Sequence, residues 1–208
     1  MAKWKPSRLL DHLLNLVEDE RFEVKRASIA PRKLLETTCA MVNTDGGYIV
    51  IGLEDSGKKF GVNRLLGVNK NRDNISEFQK LVRSEFDPPL QHLVRGFYED
   101  IVNIDGEKDQ LYIIVLEKAN DIHSLKNGDT FVRQGSQSTK IGSQEILRRR
   151  YEKGSIKFED EDSGVSTLDD LDTDLLGSYI NDTKSNSEDV WQFLKDNGLV
   201  FQTGRRTT

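Results

Sequence analysis

Leu9, Leu10, Leu13, Leu14 and Val17 recur at helical spacing and form one apolar stripe. The chain is therefore expected to open with a helix running from about Pro6, a residue favoured at a first helical position, to Val17. Phe22-Glu-Val-Lys25 then alternates, which predicts a short strand with Phe22 and Val24 on one side and Glu23 and Lys25 on the other. Pro31 starts a second helix ending near Asn43, with Leu34, Leu35, Thr38, Cys39 and Val42 on a shared face. The turn Asp45-Gly-Gly47 feeds the nearly unbroken apolar run from Tyr48 to Leu53, the pattern of a central strand covered on both faces. Asp55-Ser-Gly57 is expected to return that strand to Phe60-Gly-Val62 as a hairpin.

Further on, Ile75, Phe78, Leu81, Val82 and Phe86 mark a helix over about 73–86, closed by Pro88 and Pro89. Two longer strands, about 92–105 and 110–118, flank the turn Asp105-Gly-Glu107. A strand at Thr130–Arg133 and a helix from about Ser143 to Tyr151 complete the set. This order predicts an α+β domain with a mixed β-sheet and packed helices over residues 1–152, not a regular βαβ array. Residues 153–174 are expected to be an acidic linker, since Glu159 to Asp174 holds eight acids and no base. Apolar residues return at Leu175, Leu176, Tyr179 and Ile180 and again at Val190–Leu194. They predict a short helical tail over 175–208 that reads as the start of a truncated further domain.

Composition narrows the function classes. The 208 residues are 36% hydrophobic and 31% charged, and no run approaches the roughly 18 apolar residues that a membrane span needs. The N-terminal leucines are broken by Asp11, His12 and Asn15, so no secretory signal is read and a cytoplasmic protein is expected. One cysteine, Cys39, excludes an intramolecular disulfide and a cysteine-based zinc site. The net charge of −5 hides an asymmetry: residues 1–155 carry +2 and residues 156–208 carry −7. A polyanion site therefore belongs in the first three quarters of the chain, where local positive patches can neutralise phosphates.

Gly52-Leu-Glu-Asp-Ser-Gly-Lys58 has the spacing of a phosphate-binding loop, but Lys59 stands where the motif needs Ser or Thr, and Glu54 and Asp55 place negative charge inside it. No nucleotide cofactor is expected there. The carboxylates say more. Glu18 and Glu23 flank a helix–strand junction and Asp55 follows the apolar strand, so the three converge at one rim if those strands are neighbours. Convergent acids favour a hard divalent ion, which can activate water at a phosphate, with Lys25 beside the scissile group. By spacing alone, a surface ion pair and a turn aspartate are the simpler account. Arg133 with Gly135, Ser136, Ser138 and Lys140 offers amides, hydroxyls and cations for a phosphate cradle, or equally an ordinary strand-to-helix turn. Lys58, Lys59, Arg64, Lys70 and Arg72 form a basic stretch.

Three blocks together resemble the Schlafen AlbA-like domain: Glu18-x4-Glu23-Val-Lys25, Thr38 through Asn43-Thr-Asp-Gly-Gly to Asp55, and Phe131-Val-Arg-Gln-Gly-Ser-Gln-Ser-Thr139. Their order and spacing match over about residues 10–152. The resemblance implies a nucleic-acid-binding domain, for DNA or RNA, of a transcriptional regulator, a RecG-related protein or a defence-type protein. It also carries a second implication, since related animal domains cleave structured RNA such as tRNA with three carboxylates and Mg²⁺ or Mn²⁺. That set falls on Glu18, Glu23 and Asp55, with Glu54 the lesser candidate for the third. Those enzymes pair two lobes around RNA, so a homodimer of this single lobe is a candidate arrangement.

Three readings follow. In the first, the Arg133–Lys140 and Lys58–Arg72 segments grip phosphates without a metal. In the second, Glu18, Glu23, Asp55 and Lys25 form a metal-dependent endoribonuclease. In the third, the chain is a protein-interaction module whose acidic tail docks a partner or masks the basic face.

Overall fold

The computed structural model describes residues 7–156, 171–182 and 189–197. The chain divides into two compact units, residues 1–157 and 158–208. In the first, a four-stranded sheet is built from β1 (Phe22–Lys25), β2 (Gly47–Ile51), β4 (Val94–Val102) and β5 (Lys108–Leu116), in the order β1-β2-β5-β4. β1 runs parallel to β2, and the other two pairings are antiparallel, so the sheet is mixed. The α+β class expected from the sequence is the one observed.

Alternation along β2 shows how the layers form. Val50 joins Leu10, Leu13, Leu14, Phe22, Val24, Leu111 and Ile113 under α1 (Arg8–Asn15). Ile49 and Ile51 point the other way, into a core with Leu34, Leu35, Met41, Ile75 and Phe78 from α2 (Pro31–Asn43) and α3 (Arg72–Ser84). The apolar run from Tyr48 is thus a strand covered on both faces. Helix α1 begins at Ser7, whose side-chain oxygen accepts the Leu10 N–H at 3.1 Å. Pro6 lies outside the described residues.

Gly47 allows the close approach of β1 and β2. It adopts φ +132°, and a Cβ there would sit 2.0 Å from the Arg21 carbonyl oxygen. That same oxygen accepts the Tyr48 N–H at 2.7 Å. A side chain at 47 would push apart the strands that carry Glu23 and lead to Glu54.

Short strands β3 (Phe86–Asp87) and β6 (Ser124–Leu125) pair with each other, and β7 (Thr130–Gln134) pairs with β8 (Gln137–Ile141). The β7–β8 hairpin lies against α2. Two expectations fail here. Phe60-Gly-Val62 is no hairpin strand: the chain makes a 3₁₀ turn at Gly61–Arg64 and returns only a single bridge, Leu53 to Leu65. Phe60 and Val62 are exposed because Leu65, not they, reaches the core. Ser136–Lys140 is no strand-to-helix loop either. Gly135, at φ +59°, turns the chain back so that 137–141 pair with β7.

Helix α4 (Ser143–Lys153) closes the first unit. In the second unit, α5 (Thr173–Asp182) and α6 (Val190–Asp196) bring together Ile180, Phe193 and Leu194. Most of the expected acidic linker, and the Gly198–Phe201 segment, lie outside the described residues.

Candidate nucleic-acid interface

Parallel pairing sets the carboxyl ends of β1 and β2 side by side, with Lys25 opposite Ile51. Ligands of sheets with parallel strands commonly gather at such a rim. Here it collects Glu18, Glu23, Lys25, Arg26, Glu54, Asp55 and Lys58. The segment before β1 wraps the strand's outer edge: Asp19 accepts the Phe22 N–H at 2.8 Å and Glu18 accepts the Val24 N–H at 3.0 Å.

Glu23 and Asp55 are each near enough to Glu18 for their charges to act on it. Burial lifts the Glu18 carboxyl above the ordinary glutamate range. The Val24 N–H and the Lys25 charge oppose that rise, while the charges of Glu23 and Asp55 add to it. Two of the expected acids thus act on the third; the cations around Glu23 are what the sequence did not foretell.

Glu23 is 3% exposed and lies between two cations. Lys25 pairs with one carboxylate oxygen, and Arg133, whose side chain is 1% exposed, approaches the other at 2.7 Å. Arg133 also donates to the Asp19 carbonyl at 2.6 Å and to Ser138 Oγ at 3.3 Å. Its own N–H donates to Thr44 Oγ1 at 2.9 Å, tying the hairpin to the end of α2. The expected phosphate-binding role of Arg133 is therefore corrected: this side chain is an interior strut.

Arg64 needs the same correction. It is 1% exposed, donating from Nε to the Glu54 carbonyl at 2.8 Å and from Nη1 to the Leu14 and Leu16 carbonyls at 2.8 and 3.3 Å. It joins the end of α1 to the turn after β2 and is beyond the reach of a phosphate. Lys140 is exposed, but it pairs with Asp129 at 2.6 Å, two rungs along the hairpin from Arg133. Ser136 is exposed at the hairpin tip, and Ser138 is held by Arg133.

Two rim residues went unweighed or were undervalued in the sequence. Glu54, 2% exposed, is held by a two-pronged contact from Arg26, whose side chain is 58% exposed. The Arg26 hydrogen bond holds the Glu54 carboxyl below its ordinary range, although burial opposes this. Lys58 is exposed and near enough that its charge acts in the same direction. The Lys25-Arg26 doublet at the end of a strand was the available signal for Arg26.

A divalent ion does not fit this arrangement. Among the described residues no group of three acidic, histidine or cysteine side chains could hold one. Glu23 faces two cations, although its Oε2 beside Arg133 has no aligned hydrogen-bond donor, while Glu18 Oε1 accepts the Val24 N–H and Asp55 Oδ1 accepts the Gly57 N–H at 2.8 Å. The positive charge that a metal would bring is supplied by Arg133 and Lys25.

Residues 18–142 match a family model described as Schlafen, AlbA_2. The chain belongs to the Schlafen AlbA_2 family. The match begins at the first rim acid and ends just past β8, so the Schlafen AlbA_2 domain contains the rim and the strut together. Membership carries a nucleic-acid-related function in general and names no substrate. No curated protein matches the chain. Among solved structures, it is similar to the DIP2311 protein from Corynebacterium diphtheriae at 14% identity and a TM-score of 0.46. That alignment covers 88% of this chain and 33% of the other, so the chain spans about a third of that protein. No helix among the described residues of this Schlafen AlbA_2 protein is long and apolar enough to cross a membrane.

Proposed function

We propose that the domain binds the sugar-phosphate backbone of nucleic acid, without a metal, at the carboxyl-end rim of β1 and β2. The observation that carries this reading is the division of labour among the cations. Arg133 and Arg64 are spent on the interior, whereas Arg26 and Lys58 stand at the same rim with their charges toward solvent. Arg26 is held by Glu54 in a fork that a phosphate can match, since guanidinium binds carboxylate and phosphate in the same two-pronged geometry. Such contacts read the backbone and not the base edges, so little sequence preference is expected. Regulation of transcription, or a role in defence, would be the use made of this binding.

The test is fluorescence anisotropy with labelled single-stranded and duplex oligonucleotides over a salt titration. Binding should weaken steeply with salt, and an Arg26→Gln, Lys58→Gln pair should weaken it across unrelated sequences. Affinity that ignores both salt and these substitutions overturns the reading.

Metal-dependent cleavage of structured RNA has one observation in its favour, the nearness of both Glu23 and Asp55 to Glu18. It requires Glu23 to leave Arg133 and Lys25 first. Incubating the protein with tRNA and Mn²⁺ decides the matter: intact RNA is expected, and cleavage that vanishes in Glu23→Gln would instead establish a nuclease.

A further inference from the structure

The two edges of the central sheet are treated differently. At β1 the outward N–H groups of Phe22 and Val24 are taken up by Asp19 and Glu18. At β4 the phase of the ladder can be read from its ends. Leu93 O accepts the Glu117 N–H, and the Asn103 N–H donates to Glu107 O, both at 2.9 Å. With the Val94–Leu116 register, this turns the backbone of the odd-numbered β4 residues toward β5 and that of Gly96, Tyr98 and Asp100 away from it. Among the described residues none of these outward N–H groups meets an acceptor. An open nine-residue edge is a template for another strand, and proteins normally blunt such edges.

The side chains say which strand fits. Phe97 and Tyr98 remain 41% and 39% exposed on β4, and Arg95 and Glu99 flank Phe97 symmetrically. We propose that two copies of the chain pair through β4, antiparallel about a twofold axis at Phe97, to make one continuous eight-stranded sheet.

In that register Phe97 faces Phe97 of the second copy, and Arg95 faces its Glu99 at both ends. These odd-numbered pairs do not share hydrogen bonds across the new ladder. Their side chains therefore approach most closely, which suits an aromatic pair and an ion pair. Gly96 faces Tyr98 of the second copy in a hydrogen-bonded pair, so the outward N–H groups find carbonyls. The second Tyr98 would extend the existing stack of Tyr98 on Tyr112, whose centroids are 4.9 Å apart. Arg95 now pairs with Glu117 at 3.0 Å, and Glu99 accepts from Ser7; both interactions are exposed enough to be exchanged.

The register is tested by crosslinking the full chain. Phe97→Cys places two thiols across the axis, and the native Cys39 is buried, so wild type is a clean control. Mild oxidation should give a covalent dimer for Phe97→Cys and none for Tyr98→Cys, whose twofold partner is Gly96. Light scattering gives the second arm. Glu99→Arg should shift the chain to monomer, and Arg95→Glu combined with Glu99→Arg should restore the dimer, which a merely unfolded variant cannot do. A wild-type monomer at every concentration overturns the proposal. So does a dimer indifferent to Glu99→Arg, or a charge swap that fails to restore pairing while circular dichroism shows the fold intact.

Discussion

Glu23 within β1 and Glu54 just beyond its parallel neighbour β2 are buried alike, at 3% and 2% exposure. Their partners are not alike. Glu23 is held by an arginine from the β7–β8 hairpin that never reaches solvent, whereas Glu54 is held by Arg26, which lies mostly in water. A buried acid beside an arginine has thus been used twice with opposite consequences. The Arg133 pair fastens one element to another. The Arg26 pair keeps a cation in place at the surface.

Breaking the interior pair should have the largest effect. Arg133→Met leaves the Glu23 carboxylate buried beside Lys25 alone and frees the Asp19 carbonyl. Removing one partner of a buried pair typically costs about 3–5 kcal/mol. Urea denaturation should show a loss of that order, and Arg133→Met with Glu23→Gln should recover much of it. A double variant as unstable as the single one would mean that the hairpin is fastened by something other than this charge pair.

The rim pair should respond in both stability and binding. Arg26→Gln also leaves a buried carboxylate, Glu54, without its cation, so the denaturation midpoint should fall, but by less than for Arg133→Met because the Arg26 side chain lies largely in water and the Lys58 charge still acts on Glu54. Oligonucleotide affinity should fall as well, and the slope of log K against log salt should shrink by about 1 for each phosphate that the variant no longer neutralises. Lys140→Gln, already paired with Asp129 away from the rim, should change that slope least. If Lys140 proved the stronger contributor, the binding surface would be the hairpin and not the ends of β1 and β2.

How far the sequence foretold this division depends on the length scale of each signal. Helix Pro31–Asn43 and strand Phe22–Lys25 were legible to the residue, because a proline at the start and clean periodicity are local signals. The approach of Glu23 and Asp55 to Glu18 follows from the adjacent parallel strands that the sequence could pose only as a condition. Arg133 and Arg64 were misread because exposure is a tertiary property. Each is a basic residue in a polar stretch, and only the packing of β7 on α2, and of the 3₁₀ turn under α1, shows it to be interior. The pairing of β8 escaped notice because Gln137-Ser-Thr-Lys140 carries no apolar alternation. Its partner and Gly135 impose the strand.

Glu18 supplies the smallest and most selective test of the comparison, because it is a rim acid with no cation of its own. Its folded carboxyl binds a proton more tightly than in the unfolded chain, burial being the main cause. Between those two affinities the folded state holds more protons, so stability falls as pH rises through that window. Below the ordinary glutamate range both states are protonated and the penalty vanishes. Glu18→Gln keeps an oxygen for the Val24 N–H and cannot ionise. Its urea midpoint should therefore match wild type near pH 4 and exceed it modestly near pH 7. Equal midpoints at both pH values would show that Arg64, Lys25 and solvent already offset the Glu18 charge, and that the rim's negative cluster is no burden on the fold. A lower midpoint near pH 7 would show that the ionised carboxylate, and not merely its oxygen, fastens the outer edge of β1.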